Sequence, residues 1–150
     1  MHLRCKIEVL NMYGLDYTFI MSFGQPREEQ VIELWDKVFN ALSAEPRRQL
    51  VGRLRDVSET NWVALPEGAQ SPVVPKDDRT LRIELVHHHL PLLADDGFVV
   101  WEDDPLRARQ GPAFAEIEAV LAAVIEMAPT LPTRLVRGCP TLEVAADEDR

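Results

Sequence analysis

Three consecutive histidines, His87-His88-His89, are the first residues of this chain to test for chemistry. Successive residues on a helix project about 100° apart, so three in a row cannot converge on one ion. Leu85 stands four residues before His89 and Pro91 four after His87, and neither is a ligand. No metal and no cofactor are expected. The arginines are the second group. Arg79 and Arg82 lie near the start of the same segment, and a guanidinium can pair bidentately with guanine. Arg107 and Arg109 alternate along a short extended run, so their side chains face the same way. Nucleophilic chemistry finds little material: there is no Gly-x-Ser-x-Gly, no phosphate-binding loop and no supported Cys–His pairing. The carboxylates are scattered along helix faces as a solvated surface would have them. The expectation is a protein that is not an enzyme. Cys5 and Cys139 sit near opposite ends, make no metal-ligand spacing and read as free thiols.

At 150 residues the chain suffices for one domain with appended ends and a real core. No run approaches the roughly 18 consecutive apolar residues of a membrane span, and a secretory leader is not expected. The reading is cytoplasmic. Net charge is −9, with thirteen arginines against three lysines. An acidic surface poor in lysine suits concentrated salt, where repulsion is screened within about 3 Å at 1 M. It suits an ordinary acidic protein almost as well, and a locally basic patch is compatible with either.

The elements that must position these residues follow from periodicity. Residues 1–25 are an extension, with Lys6-Ile7-Glu8-Val9-Leu10 alternating as a strand would; the open alternatives are a strand and a segment with little role. A helix begins near Pro26. Val31, Leu34, Trp35, Val38, Phe39 and Leu42 give it one apolar face. Ser43 ends it and caps a second helix, whose first turn holds Glu45 and Pro46. Leu50, Val51 and Leu54 form the buried side of that helix, while Arg47, Arg48, Arg53 and Arg55 point elsewhere. Residues 57–76, with Pro66, Gly68, Pro72 and Pro75, read mostly as a loop with a short turn near Trp62 to Leu65.

Asp77 or Asp78 caps a third helix. Ile83, Val86, Leu90 and Leu93 lie on one side and Leu81, Leu85 and Leu92 on another, as in a helix packed between others. Pro91 removes the bond to the His87 carbonyl and bends the helix, and Gly97 is a left-handed terminator. Phe98 to Glu102 and Leu106 to Arg109 form two strands about the turn Asp103-Asp104-Pro105. From Pro112 a last helix carries Phe114, Ile117, Val120, Leu121, Val124 and Ile125, stopping before Pro129. Residues 133–150 are weakly patterned and read as a tail with a mobile acidic end.

Helix, helix, helix, hairpin, helix is the order of a winged helix-turn-helix. Ala41 to Leu50 resembles the junction of the first two helices in ArsR-type transcriptional regulators. His89-Leu90-Pro91-Leu92-Leu93-Ala94-Asp95-Asp96-Gly97-Phe98-Val99 resembles the end of their recognition helix running into the wing. Gly111 to Ile117 resembles the segment after the wing in a branch common in halophilic archaea. The resemblance covers roughly residues 31–132. It implies an α+β fold, mainly helical, with a two-stranded wing and a C-terminal helix. The domain runs from 26 to 132, between the extension 1–25 and the tail 133–150.

Membership would imply a DNA-binding regulator, dimeric through its first and last helices. A recognition helix reads base edges near its amino end. Arg79, Thr80, Arg82, Glu84, His87 and His88 are then the candidates, the two histidines facing either groove or solvent. Arg107 and Arg109 would meet phosphate or minor groove, against the alternative of a solvated arginine face. Glu102, Asp103 and Asp104 at the tip oppose tight phosphate contact. His89 resembles the family's half-buried histidine. Between Asp56 and Lys76 the chain departs from the family, which places a short supporting helix there. That departure leaves a second reading, a winged-helix module that serves protein contact and has lost DNA readout.

Overall fold

The first helix, α1 (Glu28–Leu42), starts with two glutamates in its first turn, where the helix dipole favours negative charge. In the computed structural model, residues 27–148 are described; the expected extension 1–25 and Cys5 lie outside them. The chain divides into two units between Asp36 and Lys37, within α1. The expected apolar face of α1 is only partly buried. Val38 and Ala41 enter the core, whereas Val31, Leu34, Trp35 and Phe39 remain between 37% and 61% exposed.

Helix α2 (Glu45–Arg55) has Pro46 in its first turn and buries Leu50, Val51 and Leu54, as the spacing predicts. Its N-cap is Ala44, not Ser43. The Ser43 hydroxyl instead donates to the Asn40 carbonyl at 2.7 Å, closing the end of α1.

Residues 57–76 are more ordered than a loop. Val63–Ala64 forms β1, and Glu67–Ala69 a single 3-10 turn with Gly68 and Ala69 buried. β2 (Val99–Asp103) and β3 (Leu106–Gln110) make the expected hairpin. β1 adds to it, giving a three-stranded antiparallel sheet in the order β1-β3-β2 where the spacing predicts two strands. Val63 pairs with Ala108 and Ala64 with Arg107, and the Leu65 amide extends the ladder to the Leu106 carbonyl. The alternation along β3 buries Leu106 and Ala108 and turns Arg107 and Arg109 to the other face.

One continuous helical run links loop and hairpin: α3 (Asp78–Glu84), a π-helical stretch Leu85–His89 and α4 (Leu90–Asp95). Asp77 is the N-cap, its carboxylate accepting from the Thr80 amide at 3.1 Å. The π stretch corrects the two-sided reading of this helix. In an uninterrupted α-helix, Leu85 and Leu90 would lie about 140° apart. The extra residue rewinds the register by about 100° and puts Leu81, Leu85, Leu90 and Leu93 all in the core. The Leu90 amide donates to the Leu85 carbonyl, five residues back, immediately before Pro91, which has no amide to give.

Gly97 adopts φ +75 and ends α4 as expected. Gly111 is required by proximity. A Cβ there would lie 2.5 Å from the Gly97 carbonyl oxygen and 2.8 Å from the Val99 nitrogen, where the chain leaves β3 beside the end of α4. Ala113 donates to that same Gly97 carbonyl at 2.8 Å, leading into α5 (Phe114–Glu126), which buries Phe114, Ile117 and Leu121. The expected tail is not unpatterned: α6 (Thr133–Val136) and α7 (Pro140–Glu148) follow, separated by Gly138 at φ +86. Pro140 opens α7, where its missing amide loses nothing. The described residues are thus α+β, mainly helical with one small three-stranded antiparallel sheet. No helix among the described residues is long and apolar enough to cross a membrane.

Candidate nucleic-acid interface

The eight candidate residues fall on two elements, the α3 run and the β2–β3 hairpin; Glu84, at the end of α3, is held by Lys76 at 2.6 Å. On α3, Arg79 is exposed and makes no ion pair with a described residue. Thr80 is exposed too, its hydroxyl 3.3 Å from the capping carboxylate of Asp77. Ile83, one turn beyond Arg79, keeps 52% of its surface exposed and was not among the candidates. His87 and His88 are exposed on the π stretch.

Arg82 is differently placed. Its Nη2 donates to the Asp103 carboxylate at 3.1 Å and to the Asp103 carbonyl at 3.2 Å, tying α3 to the end of β2. An arginine so engaged positions the hairpin; to reach a base edge it must first leave Asp103. Both partners are exposed, so the tie is screened and worth at most about 1 kcal/mol.

Arg107 and Arg109 share one face of β3, as alternation requires, and both lie over the ring of Trp62. Their guanidinium carbons are 4.4 and 5.1 Å from the ring centroid. Arg107 Nε also donates to Glu102 across the β2–β3 pair. Arg109 Nε is buried and has no acceptor among the described residues, so the π face of Trp62 is what this cation meets. Trp62 escaped the sequence reading because its partners come from a strand more than forty residues away.

The back of the α3 run is held by a buried polar cluster that periodicity also missed. Arg47, expected to point away from the buried side of α2, is 3% exposed. Its Nε donates to the Ala41 carbonyl at 2.8 Å, and Nη2 to the Asn40 carbonyl at 2.9 Å and the Ser43 hydroxyl at 3.0 Å. Nη1 lies 2.8 Å from His89 Nδ1. An arginine has only donors, so His89 Nδ1 accepts and its proton resides on Nε2. The Glu84 carboxylate is 3.9 Å from that Nε2, too far for a hydrogen bond. Burial, followed by the charge of Arg47 and lesser contributions from His88 and Lys76, lowers the His89 pKa to about 4 against the opposing pull of Glu84. His89 is therefore neutral at pH 7. Burial and then Arg48 lower the Arg47 pKa below its ordinary value.

Cys139 is a free thiol beside a cleft of about 160 Å³ lined by Glu45, Arg48, Gln49, Leu121 and Leu142. Compared with protein-family models, with curated proteins and with solved structures, the chain gives no match in any of the three.

Proposed function

We propose that this chain is a winged-helix, DNA-binding transcriptional regulator of the ArsR type that acts as a homodimer. The observation that carries the reading is the exposed side of α3. Arg79, Thr80 and Ile83 face outward, while Leu81, and Leu85 just beyond the end of α3, anchor the opposite side in the core. A rigid helix with a cation, a hydroxyl and an apolar group outward has the chemistry for base edges in a major groove. Arg107 and Arg109, pre-set over Trp62, supply a second cationic group on the hairpin for phosphates. The single 3-10 turn Glu67–Ala69 takes the place of the supporting helix in this reading. Dimerisation would use α1 and α5, each of which presents exposed apolar side chains, among them Ile32 on α1 and Val124 on α5. The working place of such a regulator is the cytoplasm, and its function needs no catalysis.

One observation favours the second reading, an interaction module without DNA readout. Glu102 pairs with Arg107, and Asp103 with Arg82, so acidic residues already occupy two of the four candidate arginines. A mobility-shift assay on the DNA upstream of the coding sequence separates the two. The regulator binds, binds more weakly as salt rises, and loses at least tenfold in affinity in Arg79→Ala. A stable dimer that shifts no DNA at any salt overturns the proposal in favour of the interaction module.

A further inference from the structure

Glu102 and Asp103 are neighbours at the end of β2, and a strand turns neighbouring side chains to opposite faces of its sheet. One dipeptide thereby reaches two cations on different elements. Glu102 stands opposite Arg107 on β3 and accepts from its Nε. Asp103 accepts from Nη2 of Arg82 on α3, through its carboxylate at 3.1 Å and its carbonyl at 3.2 Å. The hairpin does not depend on these ties. Its ladder with β3, the added strand β1 and the buried Val99, Leu106 and Ala108 hold it already. All four charged side chains are between 37% and 61% exposed, where an ion pair contributes little to stability.

We infer that Glu102 and Asp103 are a built-in competitor for the phosphates of a duplex, a regulation of the proposed interface that rests on the DNA-binding reading. A carboxylate accepts from a guanidinium the same charge-assisted hydrogen bonds that a phosphate oxygen accepts. Each carboxylate leaves part of its arginine open. Among the described residues, Arg107 makes no hydrogen bond through either Nη, and Arg82 makes none through Nε or Nη1. A phosphate can therefore engage the open nitrogens before the carboxylate leaves, so neither cation passes through an unpaired state. Arg107 also has Trp62 to hold it in place during the exchange, 4.4 Å from the ring centroid. Arg79 and Arg109 have no carboxylate partner among the described residues. They are the cations that draw a duplex in, and Arg82 and Arg107 follow by exchange. An isolated anion must outcompete a carboxylate kept beside its arginine at high effective concentration. A duplex already held by Arg79 and Arg109 competes on equal terms. The two carboxylates thus lower affinity for any polyanion and do so most for single anions.

The test is a pair of double-mutant cycles on the full chain, read by fluorescence anisotropy of a labelled duplex of mixed sequence. Salt is held at about 0.15 M, where charges more than about 8 Å apart are largely screened. Asp103→Asn raises affinity about two- to fivefold, the range that one exposed ion pair spans, and Glu102→Gln does the same. The gain from Asp103→Asn disappears in a chain that carries Arg82→Ala, and the gain from Glu102→Gln in one that carries Arg107→Ala. Urea midpoints close to that of the unaltered chain show that each variant is folded. Duplex binding by Glu102→Gln/Asp103→Asn where the unaltered chain shows none also supports the inference. Equal affinity with and without the two carboxylates overturns it and leaves DNA binding standing. So do gains that persist undiminished without the partner arginines, since these report general repulsion. Failure of the unaltered chain and of every variant to bind removes the DNA-binding reading and this inference together.

Discussion

Lowering the pH from 7 to 4 charges a histidine that the fold holds neutral, and the consequence for stability can be worked from the cluster around it. His89 is buried, accepts from Arg47 and has its pKa lowered to about 4, from 6.5 in the unfolded chain. A histidine with a depressed folded pKa binds more protons unfolded than folded between those two values. Its contribution is therefore fully present above pH 6.5 and is lost as pH falls toward 4. A shift from 6.5 to about 4 corresponds to about 3 kcal/mol, lost at no more than about 1.4 kcal/mol per pH unit. Carboxylates also titrate over this range, so the informative quantity is a difference. His89→Asn keeps an acceptor near the position of Nδ1 but cannot titrate. Urea unfolding of both proteins, at half-unit steps from pH 7 to pH 4, isolates the histidine. The stability of the unaltered chain relative to His89→Asn falls by about 3 kcal/mol across the window. A difference that stays level from pH 7 to pH 4 would refute the neutral, Arg47-bonded state of His89.

Three further outcomes follow from contacts already described. Gly111→Ala places a methyl 2.5 Å from the Gly97 carbonyl and 2.8 Å from the Val99 nitrogen, both backbone atoms, and lowers stability by at least about 2 kcal/mol in denaturant unfolding. Trp62→Ala removes the ring under Arg107 and Arg109 and lowers stability by about 1–2 kcal/mol, with Trp62→Phe recovering part of it; thermal unfolding reads both. Arg82→Ala breaks only the exposed tie to Asp103 and changes stability by less than about 1 kcal/mol, an effect that 1 M salt abolishes.

What the sequence made legible was what local patterns encode. The buried triplet Leu50, Val51 and Leu54, the Asp77 cap, the Gly97 terminator and the β2–β3 hairpin all rest on residues within a few positions of one another. What it hid depends on distant partners. β1 has two residues, too few for any period, and exists because β3 offers it an edge. Arg47 reads as a surface arginine because the groups that receive it are the carbonyl end of α1 and a histidine 42 residues on. The π stretch masked the true face of the third helix, since one added residue turns Leu90 onto the side of Leu85. For α7, only Leu142 and its neighbours suggest amphipathicity, and no residue of that helix is buried. Of the candidate site, alternation correctly put Arg107 and Arg109 on one face, but nothing local pointed to Trp62 as the ring they share or to Asp103 as the partner of Arg82.

If α3 and the β2–β3 hairpin engage a duplex, the affinity must depend on salt. Anisotropy of a labelled upstream fragment, measured between 50 mM and 400 mM salt, gives the slope of log affinity against log salt. Each neutralised phosphate contributes about −0.9 to that slope. The expected result is linear weakening with salt, a slope reduced by about one in Arg109→Ala, and lower affinity at an unchanged slope where Arg79 reads a base and is replaced by alanine. Affinity absent at 50 mM salt in a folded dimer, or present but indifferent to salt and to both arginines, contradicts it.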